Sequence, residues 1–125
     1  MRVICADPSP ISLFGLNKRI KRILPESVIH LCKDTESAVQ IAIDKGCDVL
    51  ITEIDFGRDK GEGIKLAEKI GELVPDVNVV FVTAAPYYEY APIVMKMKYS
   101  GYLTKPYMND ELKKELTELR FKGIS

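Results

Sequence analysis

The stretch Asp48-Val49-Leu50-Ile51-Thr52-Glu53-Ile54 decides the fold. Its apolar residues are nearly continuous and do not alternate with polar ones, which is the pattern of a strand that is buried on both faces of a sheet. A second stretch of the same kind, Val77–Thr83, has the sequence VNVVFVT. Because strands buried on both faces occur mainly in parallel sheets covered by helices, the two stretches predict such a sheet.

Short apolar runs and helical patterns alternate along the rest of the chain. Shorter strands are predicted over residues 3–6, 27–32 and 101–104. Apolar residues at helical spacing predict helices over residues 11–24, 35–45, 64–74 and 109–121. In the first of these helices basic residues are mixed with apolar residues at roughly helical spacing, which are Ile11, Phe14, Leu16, Ile20, Ile23 and Leu24.

The segment 87–99 is harder to interpret, because prolines flank its tyrosine-rich first part. Proline is tolerated in the first turn of a helix and breaks its interior. We therefore expect only a short helix here, which begins near Pro92 and ends by Ser100. The complete order predicts an α/β fold of five βα units, with a parallel five-stranded sheet between two layers of helices.

Composition excludes several classes of protein. The 125 residues suit one domain, and 18 basic against 18 acidic residues give no basic surplus, so we expect no direct contact of this domain with nucleic acid. Three cysteines and one histidine suit neither a disulfide framework nor a zinc site. No apolar stretch is long enough for a signal peptide or a membrane span, so we expect no membrane association and a cytoplasmic protein.

Polar residues that carry chemistry follow the predicted strands at their carboxyl ends. They are two acids after the first and third strands, a further acid in the next loop, a hydroxyl and a lysine, namely Asp7, Glu53, Asp55, Thr83 and Lys105. Parallel α/β sheets bind their ligands at this edge. The sequence therefore predicts one site that these residues share.

Three segments carry a resemblance to a known family: Asp48–Ile54, Val79–Ala84 and Ser100–Tyr107. The last is the most specific, because a short strand that ends in Lys-Pro-aromatic is a signature of that family. From Arg2 to about Phe121 the chain resembles the receiver domain of bacterial two-component response regulators. The matches look most like receivers that are attached to a C-terminal DNA-binding module.

The resemblance implies a flavodoxin-like three-layer sandwich with strand order 2-1-3-4-5. It also implies phosphoryl transfer from a histidine kinase, with Glu53 at the phosphoacceptor position. In the family, acids at the end of the first strand help to hold Mg²⁺. Thr83 and Lys105 take the positions that bind the phosphoryl oxygens, and Tyr102 takes the aromatic switch position.

The chain departs from the family pattern at the decisive positions. The acceptor is a glutamate, the acidic pair of the first strand is reduced to Asp7 followed by Pro8, and the loop after Glu53 is longer and lacks Met-Pro. Mg²⁺ demands near-ideal octahedral geometry, so the loss of one carboxylate predicts weak or absent binding to Asp7, Glu53 and Asp55. The extra methylene of glutamate moves its carboxylate by ~1 Å, which is enough to slow a reaction about 100-fold.

These departures predict a pseudo-receiver that is locked or biased by an ion pair between Glu53 and Lys105. One alternative is a phosphorylatable receiver that uses Glu53, or Asp55 as a displaced acceptor. A second alternative is an unrelated flavodoxin-like binder of small molecules. A third interpretation treats Glu53 and Asp55 as ordinary residues of a solvated loop edge.

All six tyrosines lie between residues 87 and 107, which is the region from the fourth to the fifth helix. In receivers this region is the output and dimerisation face, so the resemblance implies a partner protein or a homodimer there. The alternative is ordinary packing. The predicted interface residues are Tyr87, Tyr88, Tyr90, Tyr99 and Tyr107. We assign residues 1–122 to the receiver and 123–125 to a tail or the start of a linker.

Overall fold

The structure of the protein is a computed structural model, which describes residues 1–57, 60–97 and 100–122, with side chains as far as residue 118. Residues 123–125, predicted as a tail or linker, lie outside this description. Five strands alternate with five helices. They are β1 (Arg2–Ala6), α1 (Pro10–Ile23), β2 (Val28–Cys32), α2 (Thr35–Lys45), β3 (Val49–Thr52), α3 (Glu62–Leu73), β4 (Asn78–Thr83), α4 (Tyr87–Val94), β5 (Ser100–Thr104) and α5 (Asn109–Lys122).

The five strands form one parallel sheet in the order β2-β1-β3-β4-β5, as predicted. Every residue of β3 and β4 is buried, because helices cover both faces of the sheet. Helices α2, α3 and α4 pack on one face around Phe81 and Ile70. Helices α1 and α5 pack on the other face around Ile20 and Leu112. The architecture is thus the predicted three-layer α/β sandwich of the flavodoxin-like type.

Only some of the apolar residues that indicate α1 face the sheet. Ile11 and Phe14 are 85% and 63% exposed, and the buried residues are Leu13, Leu16 and Ile20. Those three lie at spacings of three and four residues, so they form one stripe along the helix. Ile11 and Phe14 belong to a second stripe, rotated away from the sheet, which the one-dimensional pattern merges with the first.

The prediction that the fourth helix begins near Pro92 is wrong. Helix α4 spans Tyr87–Val94, with Pro86 as its N-cap residue and Pro92 inside it. Proline lacks an N–H and therefore leaves one helical carbonyl, that of Tyr88, without its usual donor. Tyr88 is exposed, so water can reach this first turn, while the burial of Tyr90 and Val94 holds the helix on the sheet. Within the described residues, the structure contains no helix that has both the length and the apolarity needed to span a bilayer.

Two glycines bring the start of α3 against the end of β3. Gly61, the N-cap residue, has a φ of 79°, in the left-handed region that favours glycine. The Gly63 N–H donates a 2.7 Å hydrogen bond to the carbonyl of Ile54. A Cβ atom at position 63 would overlap the carbonyl of Glu53. The close approach fixes the backbone that carries Glu53.

We therefore predict that Gly63→Ala destabilises the fold by about 1–3 kcal/mol, because the new methyl group pushes α3 away from the Glu53 backbone. Gly71→Ala on the same helix is the matched control, since nothing lies within 4 Å of its Cβ position. The control is expected to be neutral or to stabilise by up to about 1 kcal/mol. Urea unfolding of both variants measures the difference. Equal stability of the two variants would contradict the packing argument.

The histidine of the edge strand β2 lies in a small polar network at the amino end of the sheet. The Arg2 guanidinium contacts Nε2 of His30 at 2.7 Å, and the backbone N–H of Arg2 donates to Asp48 at 2.7 Å. Burial, followed by the charges of Arg2 and Lys45, lowers the pKa of His30 below its usual value. The neutral imidazole is thus the form that the fold stabilises.

A lowered pKa means that the unfolded chain binds the His30 proton more readily than the folded chain does. The contribution of His30 to stability is therefore complete above about pH 6.5 and is lost as the pH falls below that value. Because His30 is the chain's single histidine, His30→Gln isolates the effect. We predict that the wild-type stability falls more steeply between pH 7 and 5 than that of the variant. Parallel curves in denaturant titrations across that range would refute the assignment.

Candidate functional site

Lys105, which directly follows β5, lies at the centre of the predicted site. Its ammonium Nζ is 2.7 Å from Oδ2 of Asp7 and 3.1 Å from Oε1 of Glu53. The ammonium also approaches the Ser12 hydroxyl at 3.4 Å. Because an ammonium has three N–H donors, these acceptors engage all of them. The ion pair between Glu53 and Lys105 that the sequence predicts is present.

The two carboxylates are fixed by their own backbone as well as by the lysine. Asp7 directly follows β1. Its Oδ1 accepts a 2.8 Å hydrogen bond from the N–H of Ser9, the N-cap residue of α1. Oε2 of Glu53 curls back and accepts from the N–H groups of Ile54 at 2.6 Å and Asp55 at 3.3 Å. Asp7 and Glu53 are both buried. The longer glutamate side chain is thus folded onto its own strand end.

The electrostatics of this cluster keep the lysine charged. Burial alone lowers the pKa of Lys105, but the hydrogen bond to Asp7 and the charges of Glu53 and Asp7 outweigh burial and raise the pKa above its usual value. One ammonium and two carboxylates carry a formal charge of −1. The cluster is a compensated ion group in which the lysine lies between the two acids.

The Asp55 carboxylate is engaged by α4 and by the loop before α3, whereas Lys105 pairs with Asp7 and Glu53. Its Oδ1 accepts hydrogen bonds from the Tyr90 hydroxyl at 2.7 Å and from the Gly61 N–H at 2.8 Å. Burial, the hydrogen bond to Asp55 and the negative charges nearby raise the pKa of Tyr90 to about 12. The Tyr90 phenol therefore stays a hydrogen-bond donor, and it ties α4 to the loop after β3.

These residues do not fit a magnesium ion in the arrangement that the structure shows. Each acid that the sequence offers as a ligand is engaged by protein donors: Asp7 by Ser9 and Lys105, Glu53 by Lys105 and two backbone N–H groups, and Asp55 by Tyr90 and Gly61. Among the described residues, no three Asp, Glu, His or Cys side chains lie close enough together to hold a metal. Lys105 supplies the positive charge between Asp7 and Glu53.

The hydroxyl and aromatic positions meet at Ala85. Thr83 is buried at the end of β4, and its Oγ1 accepts a 3.2 Å hydrogen bond from the Ala85 N–H. The Tyr102 hydroxyl donates a 2.7 Å hydrogen bond to the Ala85 carbonyl. The Tyr87 ring packs edge-on against the Tyr102 ring, with centroids 5.1 Å apart. Burial and then the charge of Glu53 raise the pKa of Tyr102 to about 12, so its hydroxyl remains a donor.

The structure separates the tyrosines that were predicted to form one interface. Tyr88 is 80% exposed and Tyr87 is partly exposed on α4. Tyr90 is buried against Asp55, so its assignment to the interface is wrong. Tyr107 is half-buried on the other side of the molecule, where the Arg19 guanidinium stacks on its ring at 4.7 Å. The predicted contribution of Tyr99 falls outside the described residues.

Reasoning from the sequence missed the contact of Ser12 with Lys105 and that of Tyr90 with Asp55. Ser12 lies one turn after the cap of a helix that follows β1, and helix starts of this kind face the carboxyl edge of the sheet. That position was a usable clue. The pairing of Tyr90 with Asp55 bridges 35 positions and depends on where α4 begins, which the two prolines obscured.

Comparison with known proteins places this chain in a family. The model of the response regulator receiver domain matches residues 3–117. The transcriptional regulatory protein RcsB of Escherichia coli K12 is 28% identical over 121 residues, or 96% of this chain and 56% of RcsB. The sensory transduction protein LytT of Bacillus subtilis is 25% identical over 96% of this chain and 48% of its own length. The chain thus spans about half the length of these curated relatives.

Solved structures agree with the sequence comparison. The crystal structure of a two component transcriptional regulator AraC from Clostridium phytofermentans superimposes with a TM-score of 0.84 at 25% identity, covering 99% of this chain and 95% of the other. The family match extends over nearly the whole described domain, and the strand order is the one expected of the family. The chain therefore belongs to the response regulator receiver domain family.

Proposed function

We propose that this protein is a pseudo-receiver, which signals through protein contacts and without an acyl phosphate. The observation that carries this proposal is the position of Lys105 between Asp7 and Glu53. In receivers the resemblance assigns this lysine to the phosphoryl oxygens. Here its ammonium already has acceptors in the protein, so an incoming phosphoryl group competes with two carboxylates.

The state of Glu53 supports the same proposal. A phosphoacceptor needs a free carboxylate oxygen that faces the donor, and both oxygens of Glu53 accept hydrogen bonds. Phosphoryl transfer also depends on positioning and on the neutralisation of developing charge. A cluster that keeps a formal charge of −1, and whose acids are engaged by protein donors, neutralises such charge poorly. We infer that Mg²⁺ binding is weak or absent.

The partners belong to the same proposal. RcsB and LytT are named a transcriptional regulatory protein and a sensory transduction protein, so we propose that this domain regulates transcription through an attached or partner DNA-binding module. A histidine kinase, or another signalling protein, is the proposed upstream partner. The exposed Tyr87 and Met95 line a cleft of about 310 Å³ between α4 and β5, and they supply a face for a partner or a second copy.

A phosphorylatable receiver is the competing proposal, and the retention of Thr83 and Lys105 at their strand ends favours it. The two proposals differ in what Glu53 does with a phosphodonor. A small phosphodonor with Mg²⁺, followed by intact-mass spectrometry, separates them. We predict no added phosphoryl mass on the wild-type protein and no change in its melting temperature with Mg²⁺. A stoichiometric acyl phosphate on Glu53 would overturn the pseudo-receiver proposal.

Two substitutions that restore the residues expected of a receiver test this prediction further. Glu53→Asp shortens the acceptor, and Pro8→Asp restores a second acid beside Asp7, so the double variant supplies the three carboxylates that receivers use. We predict that the double variant binds Mg²⁺ and takes up a phosphoryl group, whereas each single variant does so at least about tenfold more slowly. A double variant that folds but remains inert would show that the defect lies elsewhere than in these two positions.

The ion group also makes a prediction about stability. Lys105→Met removes the only cation described within 4.0 Å of either Asp7 or Glu53, and should destabilise the fold by about 1–3 kcal/mol. Lys114→Met on α5 is the control, because that lysine is 74% exposed and its ion pair spans 4.0 Å; a change within about 0.5 kcal/mol is expected.

Adding Glu53→Gln to Lys105→Met should recover part of the lost stability, because the double variant no longer buries an unpaired glutamate charge. Denaturant unfolding of the two single variants and the double variant gives the coupling energy between the two side chains. A coupling energy of zero would mean that the ion pair between Glu53 and Lys105 does not stabilise the fold.

A further inference from the structure

A cavity of about 340 Å³ lies between α1 and the segment 105–107, which follows β5. The buried side chains of Leu16 and Val82 line it, together with the exposed side chains of Ile11 and Pro106. Sites for small molecules have volumes of about 300–1,000 Å³ and a mostly apolar lining with a few polar groups. The cavity therefore has the size and the lining of a site for a compact small molecule.

Gly15 is the residue of α1 that leaves this space open. A glycine inside a helix destabilises the helix relative to alanine. Beyond the adjacent backbone of the helix, no described atom lies within 4 Å of the position that a Cβ atom would take at Gly15. Packing within the described part of the chain thus does not require a glycine here. Because Gly15 lines the cavity, a long side chain at this position would occupy part of it.

Arg19 supplies a positive charge to the lining of the cavity. Its guanidinium stacks on the Tyr107 ring at 4.7 Å, and both residues line the cavity. Where the structure describes the chain, the ion pairs involve Lys105 and Lys114, so no described carboxylate lies within 4.0 Å of the Arg19 guanidinium. A guanidinium presents a planar fork of N–H donors that matches the two oxygens of a carboxylate. A carboxylate is therefore the group that Arg19 is suited to bind.

Ser12 supplies a polar group on the same face of α1. Residues seven positions apart lie two helical turns apart, which is about 10 Å along the axis from Ser12 to Arg19. The Ser12 Oγ accepts from the Lys105 ammonium at 3.4 Å, and no acceptor for the hydroxyl proton of Ser12 is found among the described residues. That proton is available to a ligand. The Lys105 ammonium is already shared by Asp7 and Glu53, so the charge that attracts an anion comes from Arg19.

We propose that this cavity binds a small organic monocarboxylic acid, which acts as an effector of the domain. Its carboxylate pairs with Arg19, its apolar body covers Leu16 in the space beside Gly15, and an oxygen at its far end accepts from Ser12. The charged side chains of the lining are Asp7, Lys105 and Arg19, with a formal charge of +1, which complements a monoanion. Because Ser12 also accepts from Lys105, one hydroxyl connects the ligand to the ion group.

A titration of the ¹⁵N-labelled full chain with 3-(4-hydroxyphenyl)propionate, followed by NMR, tests the site. This probe has a carboxylate at one end, one ring and a hydroxyl at the other end. We expect a dissociation constant between about 10 μM and 1 mM, with the largest shifts at the amides of Gly15, Arg19 and Tyr107. Arg19→Gln should weaken binding at least about tenfold. Arg22→Gln is the matched control, because Arg22 is exposed in the last turn of the same helix and does not line the cavity.

A second variant fills the cavity and keeps the charge of Arg19. Gly15→Leu places a side chain in the space that the ligand needs, so binding of the probe should be lost. Leucine forms helices better than glycine does, and its Cβ meets no described neighbour within 4 Å. The melting temperature of Gly15→Leu should therefore equal or exceed that of the wild type, which separates loss of the site from loss of the fold.

Two further probes test which chemistry the site recognises. The neutral amide of the same acid should bind at least about tenfold more weakly, because it lacks the charge that pairs with Arg19. Inorganic phosphate at the same concentration should not displace the acid, because phosphate cannot cover the apolar lining.

The proposal is overturned if the acid produces no shifts around the cavity up to about 5 mM, well above the expected dissociation constants. It is also overturned if Arg22→Gln weakens binding as much as Arg19→Gln, if Gly15→Leu still binds, if the amide binds as well as the acid, or if phosphate displaces the acid. Every measurement is made without Mg²⁺ and without a phosphodonor. The effector site and the pseudo-receiver proposal therefore succeed or fail separately.

Discussion

One ammonium group shared by two buried carboxylates organises the carboxyl edge of this sheet. Lys105 joins the end of β5 to the end of β1 through Asp7 and to the end of β3 through Glu53. A buried carboxylate without a partner costs several kilocalories per mole, so the arrangement constrains all three strand ends at once. The backbone turn at Glu53, the close approach of Gly63 and the cap at Ser9 all hold the acids in place for this contact.

The sheet and the polar edge could be predicted because both follow from strong local patterns. The continuous apolar runs at β3 and β4 indicate strands buried on both faces, and parallel connection then brings their carboxyl ends together. Asp7, Glu53 and Lys105 thus become neighbours although they are far apart in the chain. The contact between Glu53 and Lys105 needed one further argument, which was the extra length of glutamate over aspartate.

The parts that the sequence did not predict depend on rotation and on long-range packing. The position of α1 on β1 and β2 determines which stripe of the helix faces the sheet. Nothing in the local sequence around Ile11 and Phe14 indicates that they lie on the other stripe. The beginning of α4 is settled by the burial of Tyr90 and Val94, which outweighs the local cost of Pro92. The contact of Tyr90 with Asp55 follows only once α4 is in place.

The hydrogen bond between Tyr90 and Asp55 has a thermodynamic consequence for communication within the domain. It links α4, on the surface, to the loop that continues from Glu53. Coupling between two sites is reciprocal, because each changes the other's free energy by the same amount. A protein that binds α4 and displaces Tyr90 changes the free energy of the lysine–carboxylate group through this link. That group changes the free energy of binding at α4 by the same amount. The exposed helix and the buried ion group are therefore two ends of one balance, in which a change at either end is felt at the other.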